Sequence, residues 1–346
     1  IDGRGGTGDM VDYGANTASQ AVSVNLATGR ANDGMGGTDT LVSIEQARGG
    51  AGDDILIGDN NNNTFRGNGG NDTIDAAGGT SDVADYAFAS ATVSVNLATG
   101  QAQDGQGGTD SLTGIERVYG SAFGDTLIGS DANDNLRGNA GNDMLDGGAG
   151  TADVAQYGSA TTGITVNMGT GTVQDGLGGT DSLTGIEQIW GSSYNDSMLG
   201  STGADYFVGS TGADTMVGGA GNDAANYAFY PSTSLTASQG VSINLATGVA
   251  RDGFGYTDSL SGIEIIHASS LADTITGSDA NETIYGNGGA DSLGGGNGDD
   301  QLYGNSANET LSGGNGSDQI AGGDAADLLM GDSGADSIYA GNGDDN

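Results

Sequence analysis

The stretch GGAGDDILIGDNNNNTFRGNGGNDTID, residues 49–75, decides the fold. Cut at every ninth residue it reads GGAGDDILI, GDNNNNTFR and GNGGNDTID. Each nonapeptide opens on a glycine turn, puts Asp54, Asn63 or Asp72 at its sixth position and puts Leu56, Phe65 or Ile74 at its eighth. The beat returns from Gly120 to Asp146 with Asp125, Asp134 and Asp143, and with Leu127, Leu136 and Leu145. A third block after Trp190 carries Asp196, Asp205 and Asp214, with Met198, Phe207 and Met216. Asp153 and Asp223 extend the second and third blocks. The longest block runs from Ala268 to the last residue, with sixth positions Asp273, Glu282, Asp291, Asp300, Glu309, Asp318, Asp327, Asp336 and Asp345.

Glycine tolerates positive φ and so permits a tight reversal. The residues after it form a short strand with one side chain inward. Two nonapeptides reverse the chain twice, and coils stacked at roughly 4.8 Å pair their strands in parallel. One nonapeptide has no core; only the stack buries the apolar file. Acids on one edge then recur every second nonapeptide. Asp300, Asp318 and Asp336 line one edge, and Asp273, Asp291, Asp327 and Asp345 line the other with Glu309 among them. Stacked carboxylates repel, and a hard cation between coils reverses that sign. Ca²⁺ takes about six to eight oxygens, backbone carbonyls included, and glycine turns expose carbonyls. Asn63 lacks the charge, and Glu282 and Glu309 are longer, so these positions are expected to bind weakly or stay empty.

The nonapeptides resemble the GGxGxDxUx repeat of RTX proteins, the hemolysin-type calcium-binding repeats, in which U is a large apolar residue. The resemblance implies an all-β fold, a right-handed parallel β-roll or β-helix solenoid with nonapeptide calcium-binding turns. It also implies that aspartates and turn carbonyls of adjacent same-edge loops share each Ca²⁺ ion. Carried onto the matching positions, that role falls to Asp54, Asp72, Asp125, Asp134, Asp143, Asp153, Asp196, Asp205, Asp214, Asp223, Asp273, Asp291, Asp300, Asp318, Asp327, Asp336 and Asp345.

Composition points the same way. The 346 residues include 70 glycines without a three-residue period, one proline (Pro231) and no cysteine, which excludes collagen, disulfides and thiolate metal sites. Acids outnumber bases 46 to 7, every base is arginine, and the net charge is -39. Such a chain repels nucleic acid and anionic lipid, and it repels itself. Without counterions at defined sites, disorder is its default. Asp and Gly as ordinary turn formers explain any single nonapeptide, but not the charge or the files of carboxylate. No apolar run is long enough to span a membrane as a helix.

A larger repeat encloses the smaller one. Four segments such as VSVNLATGQAQDGQGGTDSLTGIE end at Glu45, Glu116, Glu187 and Glu264, at spacings of 71, 71 and 77 residues. The longer last spacing reflects an insertion near AFYPSTSLTASQ. Each copy opens on a tyrosine, Tyr13, Tyr86, Tyr157 or Tyr227, followed by period-two strands such as Val93, Val95 and Leu97 and a tight ATG turn. The insert is expected to be a wider, irregular part of the solenoid carrying a small protruding hairpin. Its DGxGGTD acids, Asp33 and Asp39, Asp104 and Asp110, Asp175 and Asp181, Asp252 and Asp258, either form another ion loop or cap solvated glycine turns, and the cap is the favoured reading. The recurring Glu either ligates calcium or meets an arginine. Trp190, Tyr194 and Tyr206 are expected to be packing residues rather than a sugar platform.

The expected organisation is the end of a calcium block (1–9), repeat modules at 10–82, 83–153 and 154–223, a fourth insert at 224–267 and a long C-terminal roll at 268–346. The opening IDGRGGTGDMVDYG matches LDGGAGTADVAQYG at Leu145–Gly158, so a segment of a longer repetitive protein is expected.

Catalysis finds little support: His267 is the one histidine, expected to be a packed or exposed loop residue, and no catalytic residue is assigned. The expected role is a calcium-dependent structural segment of an exported bacterial protein, in a surface layer, adhesin stalk or filament at the cell surface. RTX resemblance implies type I secretion and folding in external calcium. The alternative is an accessory region of an RTX-tailed protease, lipase or alginate epimerase, aiding secretion or touching acidic polysaccharide. Expected partners are calcium, further copies end to end or laterally, and polysaccharide, with no nucleic acid and no membrane insertion.

Overall fold

A computed structural model describes residues 1–228 and 237–346, and the centre of the insertion around Pro231 lies outside the described residues. The described residues form strands and turns without a helix. They make two compact units, residues 1–156 with 172–186, and residues 157–171 with 187–346.

In the first unit one sheet is wholly parallel. Its strands run in the order Met10–Asp12, Gln46–Arg48, Thr64–Arg66, Val83–Asp85, Arg117–Tyr119, Asn135–Arg137 and Val154–Gln156. The facing sheet pairs the alternate strands of each block in parallel, Ile55–Ile57 with Thr73–Asp75 and Thr126–Ile128 with Met144–Asp146. The second unit repeats the scheme, from Gln188–Trp190 through Ile265–His267 to Ser337–Asn342 on its parallel sheet. Each unit is therefore a β-roll whose coil is two nonapeptides.

The eighth-position residues form the core. Leu56, Ile74 and Leu112 stack in register on one sheet, as do Leu127, Leu145 and Leu183. On the parallel sheet Phe65 lies between Ala47 and Ala84, so small residues on neighbouring coils make room for the ring. Phe65 is completely buried. Removing it leaves a cavity that its alanine neighbours cannot fill. Phe65→Ala is expected to cost about 3–5 kcal/mol, measured by urea unfolding in saturating calcium.

The inserts depart from expectation in one respect. Their hairpins exist, but the sheet takes them in. Ser94–Asn96, Gln101–Gln103 and Thr109–Thr113 form an antiparallel meander, turned at Gly100 with φ of 64°. Its first strand pairs in parallel with the coil that follows, Val95 opposite Leu127. Its last strand pairs with the coil that precedes, Leu112 opposite Ile74. The chain overshoots and then steps back through the sheet, so every strand of the insert has a neighbour on both sides. The fourth insert has the same arrangement, with Ile243 opposite Ile275 and Leu260 opposite Met216. The opening tyrosine ties this detour down: Tyr86 donates its N–H to the Tyr119 carbonyl at 2.8 Å and its hydroxyl to Asp110 at 2.9 Å.

Candidate metal centres

The sixth-position acids superpose as the period requires. In the final block the Glu282 N–H donates to Asp300 Oδ1 at 2.8 Å, the Asp300 N–H to Asp318 at 2.9 Å and the Asp318 N–H to Asp336 at 3.1 Å. On the opposite edge Asp273 donates to Asp291 at 2.8 Å, Glu309 to Asp327 at 2.9 Å and Asp327 to Asp345 at 3.0 Å. The same ladder joins Asp54 to Asp72, Asp125 to Asp143, Asp134 to Asp153, Asp196 to Asp214, and Asp205 to Asp223. All of these acids are buried except Asp336 and Asp345, which are partly exposed.

The carboxylates fall into two classes. At Asp125, Asp196, Asp205 and Asp273 both oxygens accept hydrogen bonds, the second residue of the turn (Ser121, Ser192, Ser201 or Ser269) supplying its hydroxyl and its N–H. Asp54 is completed by the N–H groups of Val22 and Gly50. By contrast Asp72, Asp143, Asp223, Asp291, Asp300, Asp318, Asp327 and Glu309 each keep a buried oxygen that accepts nothing, and Asp134 keeps its Oδ1 unpartnered. A buried anionic oxygen without a partner is costly.

Electrostatics express that cost. Burial, reinforced by the neighbouring Asp110, Asp54 and Asp104, pushes Asp72 up to about 8. Burial and Asp181, Asp125 and Asp175 raise Asp143 to about 7. Burial and Asp273 raise Asp291 to about 7, and burial with Glu282, Asp318 and Asp299 raises Asp300 to about 6. Burial also raises Glu309 to about 7, with Asp327 adding to the rise. Ionised files are thus unfavourable in protein alone.

A hard cation fits this environment. A Cβ built on Gly295 would collide with Asp300 Oδ2 and lie 2.6 Å from the Gly313 carbonyl oxygen. The glycine therefore leaves a cradle between an unpartnered carboxylate and the carbonyl of the next coil. Among the described residues no three acidic or imidazole side chains converge on one point. Most oxygens around an ion must then come from backbone carbonyls, a donor set that suits Ca²⁺ and not a thiolate- or imidazole-seeking metal.

Asn63 is satisfied without charge. It is buried, its Oδ1 accepts the Asp59 N–H at 2.8 Å, and its Nδ2 donates to the Glu45 carbonyl at 3.4 Å. Asp300→Ala and Asn63→Ala each leave one backbone N–H unpaired, but only the first removes an anionic oxygen. Asp300→Ala is expected to weaken calcium binding and its cooperativity in the final block, while Asn63→Ala leaves the titration close to that of the unaltered chain. Isothermal calorimetry decides, and equal titrations would contradict the ladder's chemistry.

Several residues outside the nonapeptides sit differently from the expectation. The DGxGGTD acids are not solvated caps in the later inserts: Asp104, Asp110, Asp175, Asp181, Asp252 and Asp258 are all buried. Asp72 donates its N–H to Asp110 at 3.0 Å, so Asp110 holds a sixth-position place in the file. The signal was present in GQGGTDSLT, residues 105–113, which is itself a nonapeptide with Asp110 sixth and Leu112 eighth. The recurring Glu likewise joins the opposite file, with Glu45, Glu116 and Glu264 accepting the N–H of Asp9, Asp82 and Asp223, each at 3.0 Å. His267 lies in a strand, not a loop, stacked on Tyr285 at 4.8 Å between ring centroids, and Tyr285 stacks on Tyr303 at 5.0 Å. Tyr206 packs against His267 at 5.8 Å, and Tyr194 is exposed.

A family model for the RTX calcium-binding nonapeptide repeat matches residues 48–82, 119–151 and 190–224, and in overlapping copies residues 258–346. These matches cover more than half of the chain. No curated protein matches it.

Proposed function

The chain belongs to the RTX calcium-binding nonapeptide repeat family, and from that premise we propose that it is a calcium-folded structural segment of an exported protein, serving an extracellular surface layer, adhesin stalk or filament. The observation that carries this reading is the set of buried carboxylate oxygens, such as those of Asp300, Asp318 and Asp327, that accept nothing from the protein. They make the roll dependent on cations from outside. Extracellular calcium modules work at about 10⁻⁴–10⁻³ M, so such a chain stays unfolded where calcium is scarce and folds where it is plentiful.

In this reading the sixth-position acids are the anionic ligands. Those with an unpartnered oxygen contribute it, and those whose oxygens are both held, such as Asp125 and Asp273, order the turn that opens a block. The rest of each ion's shell is backbone carbonyl. Catalysis has no part in this reading: the acids are assigned to the ions, and His267 is stacked on Tyr285.

Electron microscopy with and without millimolar calcium tests the structural role. Ordered rods or filaments are expected with calcium and expanded, featureless chains after chelation. Identical particles under both conditions would overturn the reading.

A further inference from the structure

We propose that the inserts carry calcium sites of their own, where the DGxGGTD turn stacks on the last turn of the preceding block, built from Asp104 with Asp72, Asp175 with Asp143, and Asp252 with Asp214. The inference rests on the calcium reading above. It extends that reading to turns at residues 104–110 and 175–181, which lie outside the segments that match the repeat family.

The first observation is a buried carboxylate aimed inward without a partner. Asp104 is 0% exposed. Its Oδ1 accepts the N–H groups of Gln106, Gly107 and Gly108 at 2.8, 2.9 and 2.8 Å, which locks the side chain, while its Oδ2 accepts nothing. Asp175 repeats this with Leu177, Gly178 and Gly179 at 2.8, 2.9 and 2.7 Å, and again Oδ2 is unpartnered. Asp252 caps Phe254 and Tyr256 at 3.0 and 2.7 Å with the same result.

The second observation is what faces that oxygen. Asp72 and Asp143 have their own unpartnered Oδ2. A Cβ on Gly108 would collide with the Gly70 carbonyl oxygen and lie 2.9 Å from Asp104 Oδ2. A Cβ on Gly179 would collide with the Gly141 carbonyl oxygen and lie 2.8 Å from Asp175 Oδ2. The crests at Gly108 and Gly179 thus bring carboxylate and carbonyl oxygens together. The ion pairs Arg48–Asp12 and Arg66–Asp85 do not involve these acids.

The motif's second acid is a support. Asp110 spends one oxygen on the Asp72 N–H at 3.0 Å and the other on the Tyr86 hydroxyl at 2.9 Å. Asp258 does the same with Asp214 and Tyr227 at 2.9 and 3.0 Å. Two anionic oxygens with carbonyls for the remainder make a hard-oxygen site of the kind Ca²⁺ takes. The first insert spells the same letters, yet Asp33 and Asp39 are partly exposed, which makes Asp33 the natural control.

Native mass spectrometry counts the ions per chain. Asn retains the oxygen that caps the turn and removes the charge, so Asp104→Asn, Asp175→Asn and Asp252→Asn are combined in one chain and compared with Asp33→Asn. The combined variant is expected to hold one ion fewer for each insert altered, and Asp33→Asn to hold the unaltered number. A folded combined variant with the full number overturns the inference and leaves the calcium-folding reading intact. An unaltered chain that binds no calcium overturns that reading itself. If the combined variant lacks strand circular dichroism in saturating calcium, Asp104→Asn alone is counted: one ion fewer supports the site, and an unchanged number removes it.

Discussion

Treated with EGTA at pH 7, the chain unfolds. The expectation follows from charge and geometry together. A net charge of -39 is packed into coils whose acids sit directly above one another, Asp300 over Asp318 over Asp336. Seven arginines cannot neutralise it, and two of them are already paired, Arg48 with Asp12 and Arg66 with Asp85. For a site with a dissociation constant on the order of 10⁻⁴ M at about 1 mM calcium, binding stabilises the fold by roughly 1.4 kcal/mol. On the order of ten such sites give roughly 14 kcal/mol, as much as the whole stability of an ordinary domain. Far-ultraviolet circular dichroism is the measurement: the strand signal disappears on chelation and returns with calcium. Magnesium does not restore it, because that ion demands a tighter octahedron and gives up water reluctantly. A spectrum indifferent to EGTA would remove calcium from the account of the fold.

Acid restores order to the calcium-free chain. In the folded state burial, and after it the neighbouring carboxylates, hold Asp72 up at about 8, Asp214 at about 9 and Asp143 and Asp291 at about 7. In the unfolded state the same groups titrate near about 4. Between those values the folded chain binds more protons than the unfolded one, so stability falls as pH rises from about 4 to about 9. Below about 4 both states are protonated and the penalty is absent. Without calcium, the strand signal is therefore stronger at pH 5 than at pH 8. With calcium the order reverses, since protons compete with the ion for the same oxygens. A calcium-free strand signal that rises with pH would show that these acids are not buried together.

The roll itself was legible in residues 49–75, because its causes are local and recur. A glycine turn, a strand of a few residues and one inward side chain define each nonapeptide, and repetition alone places Leu56 on Ile74 and Asp54 on Asp72. Those positions follow from chain geometry, so the period was sufficient. The distinction between acids was less visible. Asp125 and Asp300 occupy the same place in the repeat, but Ser121 completes the first while nothing completes the second. The serine is plain in the sequence; its reach to the carboxylate is a matter of turn geometry.

The inserts were decided by tertiary structure. Nothing local says that Val95 pairs forward with Leu127 while Leu112 pairs back with Ile74. That path places Asp110 in the acid file and closes Asp104 beneath the glycine crest, where a reading of the turn alone left both in solvent. A strand's side-chain alternation is written in its own residues, whereas its partners are chosen by hydrogen bonds between segments distant in the chain. The sequence by itself determined which residues face inward; only the stacked coils determined which of the acids lie close enough to need an ion.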